Sequence, residues 1–279
     1  MVDGNPREAR DEREARFGMT TGMSFAQVLR WIEPGAACAI LTAADAGAVA
    51  EHDLHRFDAV FIAGSELHVQ EPSPTVTRQL DLMRAVFQVG VPAFGSCWGV
   101  QVAGAVAGGE ARSNPKGPEY GFARRLAPTA DGRAHPLLAG RPPAFDAPAI
   151  HLDAVVIPPP TCAVLASNGI LPLQAAEIRH GNGVFWGVQY HPELDVGEVG
   201  LMLDAMAPDL VKHGLGRTEA DVRAYARDLL ALHADPGRTD IAWRHGLDAE
   251  VLDPVRRTRE IRNFIEHCVK PTMSARGRA

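Results

Sequence analysis

The chain has no basic block, no long apolar run and few cysteines, and each shortage removes a class of function. Its 28 Lys and Arg face 34 Asp and Glu, giving a net charge of −6. It lacks the positive footprint that phosphate-backbone binding needs, so nucleic acid is not an expected partner. No apolar stretch approaches the roughly 20 residues that cross a bilayer, and the opening Asp3-Gly4-Asn5-Pro6-Arg7-Glu8 lacks the apolar segment of a signal peptide. No membrane association and a cytoplasmic location are the corresponding expectations. The four cysteines, Cys38, Cys97, Cys162 and Cys268, are too scattered for a zinc pattern and too few for a disulfide framework in a protein of this size. They read as free thiols. His52 and His55 have the spacing of a metal pair, but no further ligand completes a site, and a solvated loop is expected there. Gly104 to Gly109 lacks the G-x-G-x-x-G fingerprint of dinucleotide binding, and there is neither an internal repeat nor a low-complexity tract.

What the chain does have is a core. With 279 residues, 46% hydrophobic and 22% charged, it is predicted to be a soluble globular protein, one α/β domain with an appendage. After a turn-like Val2-Asp3-Gly4-Asn5 and a charged stretch from Arg7 to Arg16, Ser24 is a candidate N-cap for a short helix burying Phe25, Val28, Leu29 and Ile32. Pro34 and Gly35 should end that helix at Glu33. Short apolar runs then alternate with helical patterns, which predicts parallel strands joined by crossover helices. Strands are expected at 38–42, 59–63 and 91–94, with a helix over 75–88 that buries Val76, Leu80, Met83 and Phe87.

Further strands are expected near 120–126 and at 149–157, 163–167, 173–179 and 184–189, while Pro158-Pro159-Pro160 must be a connection. Beyond Glu193 the pattern turns helical. Thr218 and Asp221 resemble a capping box for a helix burying Val222, Tyr225, Leu229 and Leu232. Asp253 and Pro254 open a last helix whose Val255, Ile261, Phe264, Ile265 and Cys268 should face inward, with Arg256-Arg257-Thr258-Arg259 on its exposed face. Trp243 and Phe264 are expected in a core. The division is then an α/β domain over 1–207 and a helical extension over 208–279, packed on it.

The chemistry centres on Gly95-Ser96-Cys97-Trp98-Gly99 and the distant Tyr190-His191-Pro192-Glu193. Cys97 follows a predicted strand and precedes a helix of small residues, the arrangement of a nucleophile elbow. The helix dipole and free N–H groups there favour a thiolate. The N–H of Trp98, next after the nucleophile, is placed for an oxyanion, and Gly64 and Ser65, after the strand at 59–63, are candidates for the second donor. His191 can take the thiol proton and give it to a leaving amine, with Glu193 holding its tautomer.

These residues resemble the class I (triad) glutamine amidotransferases. The likeness covers about residues 38–200 and rests on Gly95-Ser96-Cys97-Trp98-Gly99-Val100-Gln101, on Trp186-Gly187-Val188-Gln189-Tyr190-His191-Pro192-Glu193, and more loosely on Phe61-Ile62-Ala63-Gly64-Ser65. Within the family it is nearest to the amidotransferase portion of GMP synthase and to stand-alone proteins similar to it. The resemblance implies a flavodoxin-like, mostly parallel sheet with helices on both faces. It also implies hydrolysis of the glutamine side-chain amide through a γ-glutamyl thioester on Cys97, with Gln101 contacting substrate. No metal or organic cofactor is needed for amide hydrolysis by this route. Asn114-Pro115-Lys116-Gly117-Pro118-Glu119-Tyr120-Gly121 resembles the segment bordering the family's glutamine pocket, and His151-Leu152-Asp153 the segment at its mouth.

The departures keep alternatives open. No ATP-pyrophosphatase domain follows Glu193, so a synthetase that receives the ammonia would be a separate chain. The first strand of the family's sheet is nearly missing, Val2-Asp3-Gly4-Asn5 resembling only its tail. A γ-glutamyl hydrolase acting on γ-glutamyl amides or peptides would use the same triad, with water as final acceptor. A non-catalytic regulatory module on the same fold would be expected to carry a disrupted triad, and here the triad is intact in sequence.

Overall fold

The computed structural model describes residues 1–47 and 51–278, with 51–53 described by backbone alone. The strands are β1 (Val2–Asp3), β2 (Leu41–Thr42), β3 (Val60–Ile62), β4 (Ala93–Ser96), β5 (Glu110–Ser113), β6 (Glu119–Pro128), β7 (Phe145–His151), β8 (Asp153–Ile157), β9 (Cys162–Ser167), β10 (Ala175–His180) and β11 (Gly183–Val188). Among the described residues nine of them form one sheet in the order β2-β1-β3-β4-β11-β10-β9-β6-β7, and β5 pairs with β8 apart from it. The half from β2 to β11 is parallel, and the half from β11 to β7 is antiparallel. The α/β class, and the parallel strands that the alternation of apolar runs implies, are found in the half from β2 to β11.

Register decides where the site lies. Gly95 of β4 is opposite both Ile62 of β3 and Gly187 of β11, and Ser96 is opposite Val188. The C-terminal ends of these three parallel strands therefore finish at one edge, where an open α/β sheet presents its functional loops.

Helices α1 (Arg7–Phe17), α2 (Thr21–Ile32), α3 (Pro74–Val89), α4 (Trp98–Val106) and the short α5 (Ala130–Ala134) accompany the strands. The period-2 alternation of the strands divides the core between two faces. Val60, Ile62, Ala93 and Phe185 join Met83, Phe87 and Val100 of α3 and α4, while Phe61, Phe94 and Trp186 join Phe25 of α2 and Phe264 near the C-terminus. A third cluster lies between α6 (Val196–Ala205) and α8 (Glu219–Ala234), around Val199, Leu203, Ala226 and Leu229. The remaining C-terminal helices are α7 (Ala207–Lys212), α9 (Thr239–Arg244), α10 (Ala249–Leu252), α11 (Pro254–Arg257), α12 (Arg259–Phe264) and α13 (Lys270–Ala275).

Several elements differ from their sequence expectation for identifiable reasons. The charged stretch from Arg7 is the helix α1, ended by Gly18 in the left-handed conformation with its N–H on the Glu14 carbonyl. Helix α2 is capped by Thr20, whose Oγ1 accepts from the Met23 N–H, and Ser24 lies inside it, donating to Glu198 at 2.6 Å. The expected strand over 149–157 is two strands broken at Leu152, because β7 pairs with β6 while β8 turns away to pair with β5. Of 38–42 only Leu41–Thr42 is strand, and a 3-10 turn spans Glu51–Arg56 where a loop was expected, with His55 exposed on it. The His52 side chain lies outside the described residues.

In α3 Gln79 and Leu82 are also buried, and Leu80 is partly buried against the same core. The last helix is interrupted by a π turn at Ile265–Val269 just before Pro271, which has no N–H to give to a regular turn. On the short α9, Ile241 and Ala242 take the inward positions, so Trp243 is 81% exposed rather than in a core. Val255 is also exposed, while Arg257 and Thr258 are buried, bonding the carbonyls of Val251 and Pro254.

Candidate active site

Cys97 sits between β4 and α4 with φ 50° and ψ −101°, on the side of the map that L residues avoid. Such a conformation costs about 1–3 kcal/mol and persists only where surrounding structure imposes it. Here the Cys97 N–H is held by the Val188 carbonyl of β11 at 2.8 Å. Close packing excludes larger neighbours: a Cβ on Gly95 would lie 2.8 Å from the Gly99 Cα, and one on Gly99 would lie 3.0 Å from the Ile62 carbonyl oxygen. The two glycines of the motif thus let the elbow press against β3 and against itself.

His191 leaves the end of β11 and is fixed by its backbone N–H, which donates to the Pro148 carbonyl of β7 at 2.7 Å. Its Nδ1 lies 2.7 Å from Oε1 of Glu193, and all three side chains, Cys97, His191 and Glu193, are buried. Burial by itself pushes the imidazole pKa down. The Glu193 charge and hydrogen bonds with the Cys97 thiol and Glu193 outweigh it, and the pKa is raised to about 10. An imidazole this basic is a strong acceptor for a thiol proton.

Sequence reasoning missed Ser96. Its Oγ donates to the same Oε1 of Glu193 at 2.7 Å, so one oxygen of the carboxylate serves both Ser96 and His191. Among the described residues the other, Oε2, has no hydrogen-bond partner. The signal was positional, since Ser96 ends β4 immediately before the nucleophile.

The oxyanion candidates come together at the same edge. Gly64 abuts the His191 ring, and Trp98 opens α4. The hydrogen bonds of the described residues include none from the backbone N–H of Gly64, Ser65 or Trp98. Their loop is tied to the N-terminal segment through the Gly4 carbonyl, which accepts from Ser65 Oγ at 3.1 Å and from Gln79 Nε2 at 2.8 Å. The Trp98 indole N–H donates to Gln79 Oε1 at 2.7 Å, and the Glu66 N–H to Asn5 Oδ1 at 3.0 Å. Gly4, Asn5 and Gln79 were not singled out from the sequence, because each acts through a long-range contact that no local pattern marks.

Gln101 is 3% exposed and lies one turn into α4, where its Nε2 donates to the Asp153 carbonyl at 2.9 Å and lies 3.4 Å from Gln189 Oε1. The two lesser sequence segments meet beside it. His151 places Nε2 3.1 Å from Glu119 Oε2 and Nδ1 3.2 Å from the Asp153 carbonyl oxygen. The Asp153 carboxylate in turn takes His68 at 2.7 Å and Ser113 at 3.0 Å. Among the described residues no group of three or more His, Cys, Asp and Glu is placed to hold a metal ion, and no helix is long and apolar enough to cross a membrane.

The chain resembles known proteins in sequence and in fold. The profile of the glutamine amidotransferase class-I family matches residues 25–203. The γ-glutamyl-L-1-hydroxyisopropylamide hydrolase of a Pseudomonas species is 32% identical over 277 residues, covering 98% of this chain and 93% of that protein. A subunit of the glutamine-hydrolysing GMP synthase of Ignicoccus hospitalis is 31% identical over 154 residues, covering 54% of this chain and 74% of its own. Among solved structures, a glutamine amidotransferase of Thermotoga maritima superposes with a TM-score of 0.62 at 18% identity, over 88% of this chain and 93% of its own. The chain belongs to the class I glutamine amidotransferase family, and it shares that family's fold.

Proposed function

We propose that this protein is an amide hydrolase that cleaves γ-glutamyl amides through a thioester on Cys97, with water as the final acceptor. The observation that carries the reading is the buried line of side chains from Cys97 through His191 and Glu193 to Ser96. In acylation the sulfur attacks the amide carbonyl carbon as the thiol proton passes to His191. The carbonyl oxygen gathers charge facing the N–H groups of Gly64, Ser65 and Trp98. His191 then gives its proton to the departing nitrogen as the C–N bond breaks, releasing the amine and leaving the thioester. In deacylation His191 takes a proton from the attacking water, glutamate leaves, and the proton returns to sulfur. Gln101 is assigned to the glutamyl part of the substrate. In this reading residues 1–207 are the catalytic domain and 208–279 an extension packed on it.

Likeness over 98% of the chain to a protein named as a γ-glutamyl amide hydrolase supports water as acceptor. A second reading has glutamine itself as substrate, with ammonia delivered to a separate synthetase chain. It is favoured by likeness over about half the chain to one subunit of a GMP synthase.

The test compares turnover of glutamine with that of γ-glutamyl-1-hydroxyisopropylamide, alongside intact-mass analysis after exposure to a diazoketone analogue of glutamine. Amine release from the substituted amide, faster than ammonia from glutamine, with a single adduct on Cys97, is the expected result. Preference for glutamine would shift the assignment to the second reading. Absence of both turnover and adduct would overturn the two together.

A further inference from the structure

Tyr190, the residue before His191, is wholly buried and ends in a charged cluster. Its Oη donates to Oε1 of Glu260 on α12 at 2.9 Å. Glu260, itself without exposure, is held by both arms of Arg141, with Nε to Oε1 and Nη2 to Oε2 each at 2.7 Å. Arg141 also donates to Glu250 of α10 at 2.8 Å and to the Arg257 carbonyl at 3.0 Å. Its guanidinium lies 4.4 Å from the ring centroid of Phe145, which meets the Tyr190 ring edge-on at 5.9 Å. Phe145 begins β7, the strand whose Pro148 carbonyl holds the His191 N–H. Two separate paths, one through the Tyr190 side chain and one through β7, thus run from the Arg141–Glu260 pair to the backbone of His191.

A buried ion pair adds little stability over apolar residues of the same shape, since removing two charges from water offsets most of their attraction. What bidentate geometry supplies is a fixed position. Glu250, Arg257 and Glu260 all lie beyond residue 203, where the family profile ends, yet inside the region shared with the hydrolase-named relative. The cluster is therefore a feature of this longer chain, and it reaches the rear of the site.

We propose that Tyr190, Glu260 and Arg141 are positioning residues, through which the C-terminal helices set the place of the His191 imidazole against Cys97. The inference rests on the reading of His191 as the base. It accounts for how the chain would hold its base in register by a segment of its own.

The test uses the full chain and three variants, Tyr190→Phe, Glu260→Gln and His191→Ala. Two readouts are taken: kcat and KM on the substituted γ-glutamyl amide, and the pH dependence of Cys97 alkylation by iodoacetamide, which needs no glutamyl substrate. Tyr190→Phe removes one hydroxyl and is expected to fold as the parent does, so it decides the matter even if Glu260→Gln does not fold. Its expected effect is a fall in kcat of about tenfold, with KM within about twofold and an alkylation profile displaced from the parent's. A parental kcat and profile in Tyr190→Phe, while His191→Ala alters alkylation, would overturn the positioning role and leave the base assignment standing. Alkylation unchanged in His191→Ala would instead remove the base, and this inference with it.

Discussion

Gly64 stands behind the imidazole of His191, so closely that a Cβ at position 64 would lie 2.8 Å from Cε1 of the ring. No left-handed backbone angle forces glycine there, which makes the ring itself the constraint. Gly64→Ala is expected to fold with near-parental thermal stability while displacing the imidazole. Misplacement of a catalytic group by a fraction of an ångström to one ångström costs up to about 10²-fold, so kcat should fall by roughly 10-fold to 100-fold. Steady-state kinetics beside a circular dichroism melt would check it. Parental kcat would show that the ring has room to move, and that its position does not limit the reaction.

Glu193 is the main charge that opposes burial of His191, and it does so through Oε1. Glu193→Gln removes that charge, so the His191 pKa should drop from about 10. Because His191 must be unprotonated to take the thiol proton, its pKa sets the acid limb of kcat/KM, and that limb should move to lower pH. The rate at the optimum should fall by about 10²-fold or more. Ser96→Ala keeps the charge but takes away one of the two donors on that oxygen. A hydrogen bond to a charged group contributes about 1.5–3 kcal/mol, so a loss of roughly 10-fold to 100-fold in kcat is expected with a smaller displacement of the limb. A pH–rate profile of Glu193→Gln superimposable on the parent's would rule out the carboxylate as the source of the shift.

The elements nearest the chemistry were legible because their signals are local. The helix expected over 75–88 is Pro74–Val89, and the strands expected at 184–189 and 163–167 are Gly183–Val188 and Cys162–Ser167. The capping box at Thr218 and Asp221 and the Asp253-Pro254 helix start are both present. What escaped is long-range. Whether 149–157 is one strand or two depends on which neighbour each half pairs with, and Leu152 carries no Gly or Pro to mark the break. Arg257 reads as surface in any local pattern, and only the fold buries it beside the Val251 carbonyl. Trp243 reads as core from its size, yet one step along a short helix turns it to solvent. The proximity of Cys97, His191 and Glu193 follows from register between β4 and β11, which the motif spacing implied without fixing.

Gln101 is held from one side, its amide nitrogen shared between the Asp153 carbonyl and Gln189. If its role is to orient the glutamyl moiety, truncation should weaken binding more than it slows chemistry. Gln101→Ala is expected to raise KM by about tenfold, corresponding to the loss of roughly one hydrogen bond, with kcat changed by less. Measured KM and kcat on a γ-glutamyl amide separate the two effects. An unchanged KM with a depressed kcat would place Gln101 with the reacting groups instead.

Glu177 ties β10 to β11, and its hydrogen bonds should set the acid limit of folding. The hydrogen bond from His135, against the opposing effect of burial and with help from Arg179 and Trp186, lowers its pKa from 4.5 to about 2. A carboxylate depressed in the folded state stabilises above its unfolded value and loses that contribution as pH falls through the folded one. The stabilisation should be complete above about pH 4.5 and fade toward pH 2. In Glu177→Gln the melting temperature should therefore lie below the parent's at pH 7, and the gap should narrow steadily between pH 4.5 and 2. Because Glu177 sits opposite Trp186 on the strand that leads to His191, the variant should also lose activity on heating before the parent does. Melts followed by circular dichroism at both pH values decide it. A gap that stays constant down to pH 2 would mean that the carboxylate's charge is not what stabilises this pair of strands.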